Sequence, residues 1–130
     1  MTLFLDTNLL IDLVTAGSPH IALIRQWLSD GEKLATSAIA WSEFCNGPHS
    51  KEQKDAVYHV IEGRVIDFTQ REAENASRLF HLTGRRRGSH SDCMIAAAAI
   101  SGGIPVATRN IADFKKFVPL GLKLRAVETK

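Results

Sequence analysis

Short apolar runs alternate along this chain with longer stretches whose apolar positions recur roughly every three to four residues. "LFLD" at 3–6 reads as a buried strand, and "TNLLIDLVTAG" after it as a helix closed by Gly17. From Pro19, "PHIALIRQWLSDG" sets Ile21, Ile24 and Leu28 at helical spacing and stops at Gly31. "KLATS" (33–37) predicts a short strand, and "AIAWSEFCNG" a helix ended by Gly47 and Pro48. "KEQKDAVYHVIEG" is amphipathic, with Val57, Val60 and Ile61 on one face, and "RVIDFT" (64–69) predicts a strand. "QREAENASRLFHLTG" places Ala73, Ala76 and Phe80 together, whereas "SDCMIAAAAISGG" is apolar nearly all round and predicts a central, buried helix. "IPVATR" reads as a strand, "NIADFKKF" as a short helix and "LKLRAV" (122–127) as a last strand.

Strands separated by helices imply crossover units and a parallel sheet. Ligands bind such sheets at the carboxyl ends of the strands. That rule brings Asp6 and the ends of "KLATS" and "IPVATR" to one rim.

Composition narrows the class. The 130 residues fit a single domain, 1–130, and 45% apolar content supports a core without disulfides. Cys45 and Cys93 are too few for a disulfide framework. Asp6, Asn8 and Asp12 interrupt the apolar start, which also lacks a basic leader and a cleavage site, so no signal peptide is read. No run approaches the ~20 apolar residues of a membrane helix, and a soluble, cytoplasmic protein is expected. A net charge of +2 neither requires nor excludes nucleic acid. Local basic clusters matter more: "GRRRG" at 84–88, "TRN" at 108–110 and "KK" at 115–116.

Further acids join Asp6 at the rim. Glu43 lies in the helix after "KLATS", Asp92 in the first turn of the apolar helix, and Asn110 and Asp113 follow "IPVATR". Each has an ordinary structural use. Asp6 or Asn110 can cap a helix, Asp92 suits a helix N-terminus, Asp113 sits at a capping-box position and Glu43 can be a solvated helical residue. Together, several carboxylates on one rim repel one another and raise each other's pKa. A divalent cation relieves that repulsion, and oxygen-only ligands suit Mg²⁺ or Mn²⁺ rather than zinc. With basic clusters nearby, the reaction this points to is metal-assisted phosphodiester hydrolysis.

"FLDTNLLID", "SAIAWSEFCNG" and "SDCMIAAAAISGGIPVATRNIADF", at this total length, resemble the PIN domain over about the whole chain. More narrowly, the pattern is similar to the VapC-type toxins of bacterial toxin–antitoxin pairs. The late segment is its most specific part. The resemblance implies a three-layer α/β/α sandwich with a parallel sheet and a Mg²⁺- or Mn²⁺-dependent endoribonuclease site. It maps the family's acids onto Asp6, Glu43 and Asp92, which would hold the metal, with Asn110 and Asp113 at the fourth position and Thr108 in support. Asparagine at 110 puts a second metal in doubt, because a neutral amide ligates only through its carbonyl oxygen. Arg85, Arg86, Arg87, Arg109 and Lys116 are the candidate RNA-phosphate contacts. The resemblance further implies a homodimer and a small antitoxin that lays a segment across the acidic groove. Trp27, Trp41 and Phe44 are candidates for an apolar groove to receive it, with the core as the preferred place for Trp41.

Two rivals remain at this level. A haloacid-dehalogenase-like phosphatase would use Asp6 as nucleophile, but it wants a second aspartate where Asn8 stands and has no need of Glu43. A PIN-like module that binds RNA without cutting is the other. No P-loop motif occurs, and His90, Asp92, Cys93 and Cys45 match no standard zinc spacing. His20, His49, His59 and His81 are expected at the surface or at caps.

Overall fold

The computed structural model describes residues 1–128. Five parallel strands form one sheet in the order β3-β2-β1-β4-β5. They are β1 (Thr2–Leu5), β2 (Lys33–Ser37), β3 (Val65–Ile66), β4 (Val106–Thr108) and β5 (Leu124–Ala126). Helices α1 (Thr7–Asp12), α2 (His20–Ser29), α3 (Ala38–Cys45), α4 (Lys51–Val60), α5 (Gln70–Leu82), α6 (His90–Gly102) and α7 (Ile111–Phe114) connect them, and a 3₁₀ helix (Lys115–Leu120) leads into β5.

Successive strand residues point to opposite faces of a sheet. Leu3, Phe4 and Leu5 of β1 are all buried, as are Leu34 to Ser37 of β2, so helices cover the sheet on both sides. This is the expected α/β/α sandwich. Thr36 is tolerated inside because its hydroxyl donates to the Leu5 carbonyl at 2.8 Å. The edge strands β3 and β5 are short and partly exposed, which limits edge-to-edge pairing. Helix α6 buries Cys93 and the run from Ile95 to Ala99, as its uniform apolarity predicts. Gly103 ends it with φ +64°, a left-handed conformation that strains any side chain.

The sequence pattern overstates several elements. Strand β3 is two residues long rather than 64–69, because β2 offers it only Thr36 and Ser37 before turning into α3. Helix α1 stops at Asp12, five residues short of Gly17. On α2 the buried face is His20, Ile24 and Trp27, not Ile21, Ile24 and Leu28, and Leu28 is exposed. On α5 it is Glu72, Ala76 and Leu79, while Ala73 faces solvent. In both helices a polar residue sits on the inner face, which apolar periodicity alone does not register. No helix of the described residues is long and apolar enough to cross a membrane.

Candidate active site

From β1 the chain builds outward through β2 to β3, then returns to the other side of β1 with β4 and β5. The crevice between the carboxyl ends of β1 and β4 is therefore the topological switch point, the usual ligand site of such sheets. Asp6 follows β1 there and Thr108 ends β4. The Thr108 hydroxyl donates to Asp6 Oδ2 at 2.7 Å, and the Thr7 amide donates to Oδ1 at 2.8 Å. Asp6 is thus both the N-cap of α1 and a member of the rim. Burial raises its pKa, the Thr108 and Thr7 hydrogen bonds oppose that rise, and the charge of Glu43 adds to it.

Asp92 stands in the first turn of α6. Its pKa is raised from 3.8 to about 6, first by burial and then by the charges of Asp6, Asp113 and Glu43, with Lys116 opposing. The four acids therefore share one field although they come from four separate segments. Glu43, on the exposed side of α3, accepts from the Thr7 hydroxyl at 2.7 Å. Asn110 points its amide nitrogen at Asp113 Oδ2, 2.8 Å away, so it acts on its neighbour instead of capping α7. The Asn110 backbone amide donates to the Thr108 hydroxyl at 2.9 Å.

A cleft of about 150 Å³ opens beside these acids, lined by Arg86, Arg87, Gly88, Ser89, Asp92, Asp113 and Lys116. Two acids and three cations thus face the same space. The Ser89 hydroxyl donates to the Arg86 carbonyl at 2.7 Å, which fixes the turn that presents Arg86 and Arg87. The other two basic candidates turn elsewhere. Arg85 donates from Nε to His81 Nδ1 at 2.8 Å, and Arg109 places Nε 2.9 Å from the buried Asp12 carboxylate.

Asn8 is the residue that sequence reasoning missed. Its amide nitrogen lies 3.3 Å from Asp6 Oδ2 and 3.2 Å from Thr108 Oγ1, and its carbonyl accepts the Arg109 amide at 3.3 Å. The place where a phosphatase would carry its second aspartate therefore holds a clamp on Asp6. The signal lay in "DTN", where one turn carries three side chains able to reach the strand ends. His20 also departs from expectation. It is buried, with Nδ1 3.1 Å from Asp12 Oδ2 and Nε2 3.0 Å from the Glu128 carbonyl. His49 is half-buried and stacks on Phe44, with ring centroids 4.5 Å apart. Trp27 and Phe44 are core residues, so they form no open groove, while Trp41 is half-buried between Phe44 and Tyr58. The exposed apolar side chains of the first two helices are Ile11, Leu23 and Leu28.

The PIN domain model matches residues 3–118. The chain belongs to the PIN domain family. The family is one of nucleases, and its segment here runs from β1 through the acids to the 3₁₀ helix. No curated protein matches the chain. Among solved structures, this PIN domain is similar to a chain of VapBC2 from Rickettsia felis bound to a DNA fragment from their promoter. The two are 23% identical, with TM-score 0.73, over 98% of this chain and 100% of that one. It is similar to a chain of a toxin–antitoxin complex from Klebsiella pneumoniae, at 24% identity and TM-score 0.73, covering 99% and 100%. A chain of DNA-bound VapBC from Salmonella typhimurium is 25% identical, with TM-score 0.68, covering 97% and 98%.

A divalent ion suits the donor set of this PIN domain. Its acids are all oxygen ligands, and their mutual repulsion is what a cation would relieve. Among the described residues no three His, Cys, Asp or Glu side chains converge into a ready-made cage. Zinc chemistry is not favoured, because Cys93 is buried with Sγ 4.0 Å from Ser89 Oγ and His90 packs edge-on against Phe80.

Proposed function

We propose that this PIN domain is a Mg²⁺- or Mn²⁺-dependent endoribonuclease and the toxin of a toxin–antitoxin pair. The observation that carries the nuclease reading is the raised pKa of Asp92, about 6, under the charges of Asp6, Asp113 and Glu43, in a cleft that Arg86, Arg87 and Lys116 also line. A fold that only needed solubility would spread these acids apart. The toxin reading is supported by the solved relatives, which include toxin–antitoxin and VapBC complexes.

Asp6, Glu43 and Asp92 would hold the ion, with Asn110 and Asp113 bordering it. The ion would polarise a phosphoryl oxygen and acidify water at neutral pH. The protein's own part is placement. Thr108, Thr7 and Asn8 fix both oxygens of Asp6, and Asn110 aims Asp113. Arg86, Arg87 and Lys116 receive backbone phosphates, and these contacts position a strand without reading its bases. Hydrolysis joins the oxygen of water to phosphorus and breaks the bond to the leaving oxygen. A proton of the water passes to the departing oxygen, in a cleft lined by both acids and cations.

The partners in this reading are RNA, a cognate antitoxin and a second copy of the chain. The test is incubation of antitoxin-free protein with total cellular RNA, in Mg²⁺, Mn²⁺ or EDTA, beside an Asp6→Asn variant. Discrete fragments that require metal and vanish in the variant support the reading. RNA binding without fragments, equal in both proteins, favours a module that binds without cutting.

A further inference from the structure

Behind the acidic rim lies a second charged cluster that the proposed chemistry does not use. Asp12 is the last residue of α1 and is 6% exposed. Its Oδ2 sits 2.9 Å from Arg109 Nε and 3.1 Å from His20 Nδ1. Both approaches are too bent for hydrogen bonds, and the contacts are those of a buried charge among cationic or polar nitrogens. His20 is anchored at its far side by the Glu128 carbonyl, 3.0 Å from Nε2, and its backbone amide donates to Ser18 Oγ at 3.3 Å. Two distant segments therefore meet on one carboxylate oxygen, the start of α2 and the loop after β4, and the segment after β5 holds the histidine from its far side.

The loop after β4 aims the acids. Thr108 donates to Asp6, Asn110 donates to Asp113, and Arg109 lies between them with its amide on Asn8. A single loop conformation thus sets two acids, and the Arg109 side chain is its longest lever. That side chain is about one-third exposed, yet its Nε end is buried against Asp12. A carboxylate buried this deeply is retained at a cost in desolvation unless its partners are well placed. Ordinary packing does not require one at the end of a six-residue helix.

We propose that Asp12 is a positioning residue for the acidic centre, acting through Arg109 to hold residues 108–110 in the conformation that aims Asp6 and Asp113, with His20 fixing Asp12 from behind. This rests on the nuclease reading for its catalytic consequence only. Asp12 touches neither RNA nor ion. It fixes the geometry of groups that do, and a displacement of about 1 Å in such groups costs up to about a hundredfold in rate.

The experiment is a double-mutant cycle of Asp12→Asn, Arg109→Gln and the combined variant, read three ways: amide shifts in the metal-free protein, Mn²⁺ affinity by calorimetry, and kcat and KM for RNA cleavage. Each single variant is expected to move the amides of Asn8, Arg109 and Asn110, to weaken Mn²⁺ binding, and to lower kcat at least about tenfold with KM nearly unchanged. The double variant is expected to be no worse than either single, because both cut the same tie. Arg109→Lys, which keeps the charge, recovers part of kcat. A folded Asp12→Asn variant with wild-type amide positions and kcat overturns the proposal, as does a double variant whose losses multiply. A rise in KM alone for Arg109→Gln makes Arg109 a direct RNA contact and also overturns it. Should Asp12→Asn fail to fold, Arg109→Gln and Arg109→Lys decide through the same amide shifts and affinities. Absence of cleavage by the wild type sinks the nuclease reading, while the amide shifts still test the tie.

Discussion

Two carboxylate environments in this molecule were made from the same chemistry and arrive at opposite electrostatics. On the α5–α6 seam, Glu72 accepts from the Thr69 amide at 3.2 Å, the Thr69 hydroxyl at 2.6 Å and the Ser101 hydroxyl at 3.2 Å. It is nearly covered, and the Thr69 hydrogen bonds lower its pKa. At the rim, Asp92 is pushed up by burial and three neighbouring acids. One carboxylate closes a capping box and ties two helices, so its charge is wanted where it stands. The other holds a charge that the folded chain alone does not satisfy. A carboxylate left in that state is the mark of a place where something else is meant to bind.

The strongest way to break the contrast is to neutralise each acid in turn. Asp92→Asn is expected to lower cleavage at least about a hundredfold, the scale of losing one preorganised electrostatic group, whereas Glu72→Gln leaves kcat and KM unchanged. Equal losses in both would mean that the rim holds no special acid. Chelation with EDTA is expected to match Asp92→Asn in size and to be reversed by added Mn²⁺, which a metal titration of the rate would show.

Stability should move the other way. The folded state holds the Asp92 proton more tightly than the unfolded chain does, so this group contributes stability in acid. That contribution is lost as pH rises from 3.8 to about 6. The full penalty is present above that range and amounts, after solvent screening, to about 1–2 kcal/mol. Asp92→Asn is therefore expected to melt about 3–8 °C above the metal-free wild type near pH 7, a gap that closes by about pH 4. Saturating Mg²⁺ should raise the wild type toward the variant. Calorimetric melting across this pH range checks the sign, and a variant less stable than the wild type at pH 7 contradicts it.

Smaller effects sharpen the picture. Arg86→Ala and Lys116→Ala are expected to raise KM with little change in kcat, each lowering the slope of log affinity against log salt by about one. A salt titration of RNA binding measures this. Glu72→Gln should lower the melting temperature slightly at neutral pH. Because the folded pKa of Glu72 is lowered, its stabilising contribution is present above 4.5 and fades as pH falls through the folded value, so the deficit should vanish in acid.

Much of the rim was readable in the residues. Strand ends and helix starts are punctuated strongly, so Asp6, Glu43, Asp92, Asn110 and Asp113 fall at one sheet edge as soon as the strands are taken as parallel. The uniform apolarity of α6 marked it as central for the same reason. What the pattern withheld was the polar scaffolding. Asn8, Asp12 and His20 reach partners 100, 97 and 108 residues away in the chain, at Thr108, Arg109 and Glu128. A local period carries no trace of such partners. Glu72 and His20 on inner helix faces misled the reading of α5 and α2 for that reason, and β3 was cut short by the length of its neighbour rather than by its own sequence.

The pairing of β1 with β4 has a consequence in time. The Asp6 amide donates to the Ala107 carbonyl at 3.0 Å, and its carboxylate waits on the Thr108 hydroxyl. Asp6 is thus completed by a strand residue that follows it by 102 positions. Until β4 is made, Asp6 has only Thr7 and Asn8 to hold it, beside an open strand edge. A chain that stops before β4 lacks the group that lies nearest Asp6 Oδ2, so the centre depends on a strand far from it in sequence.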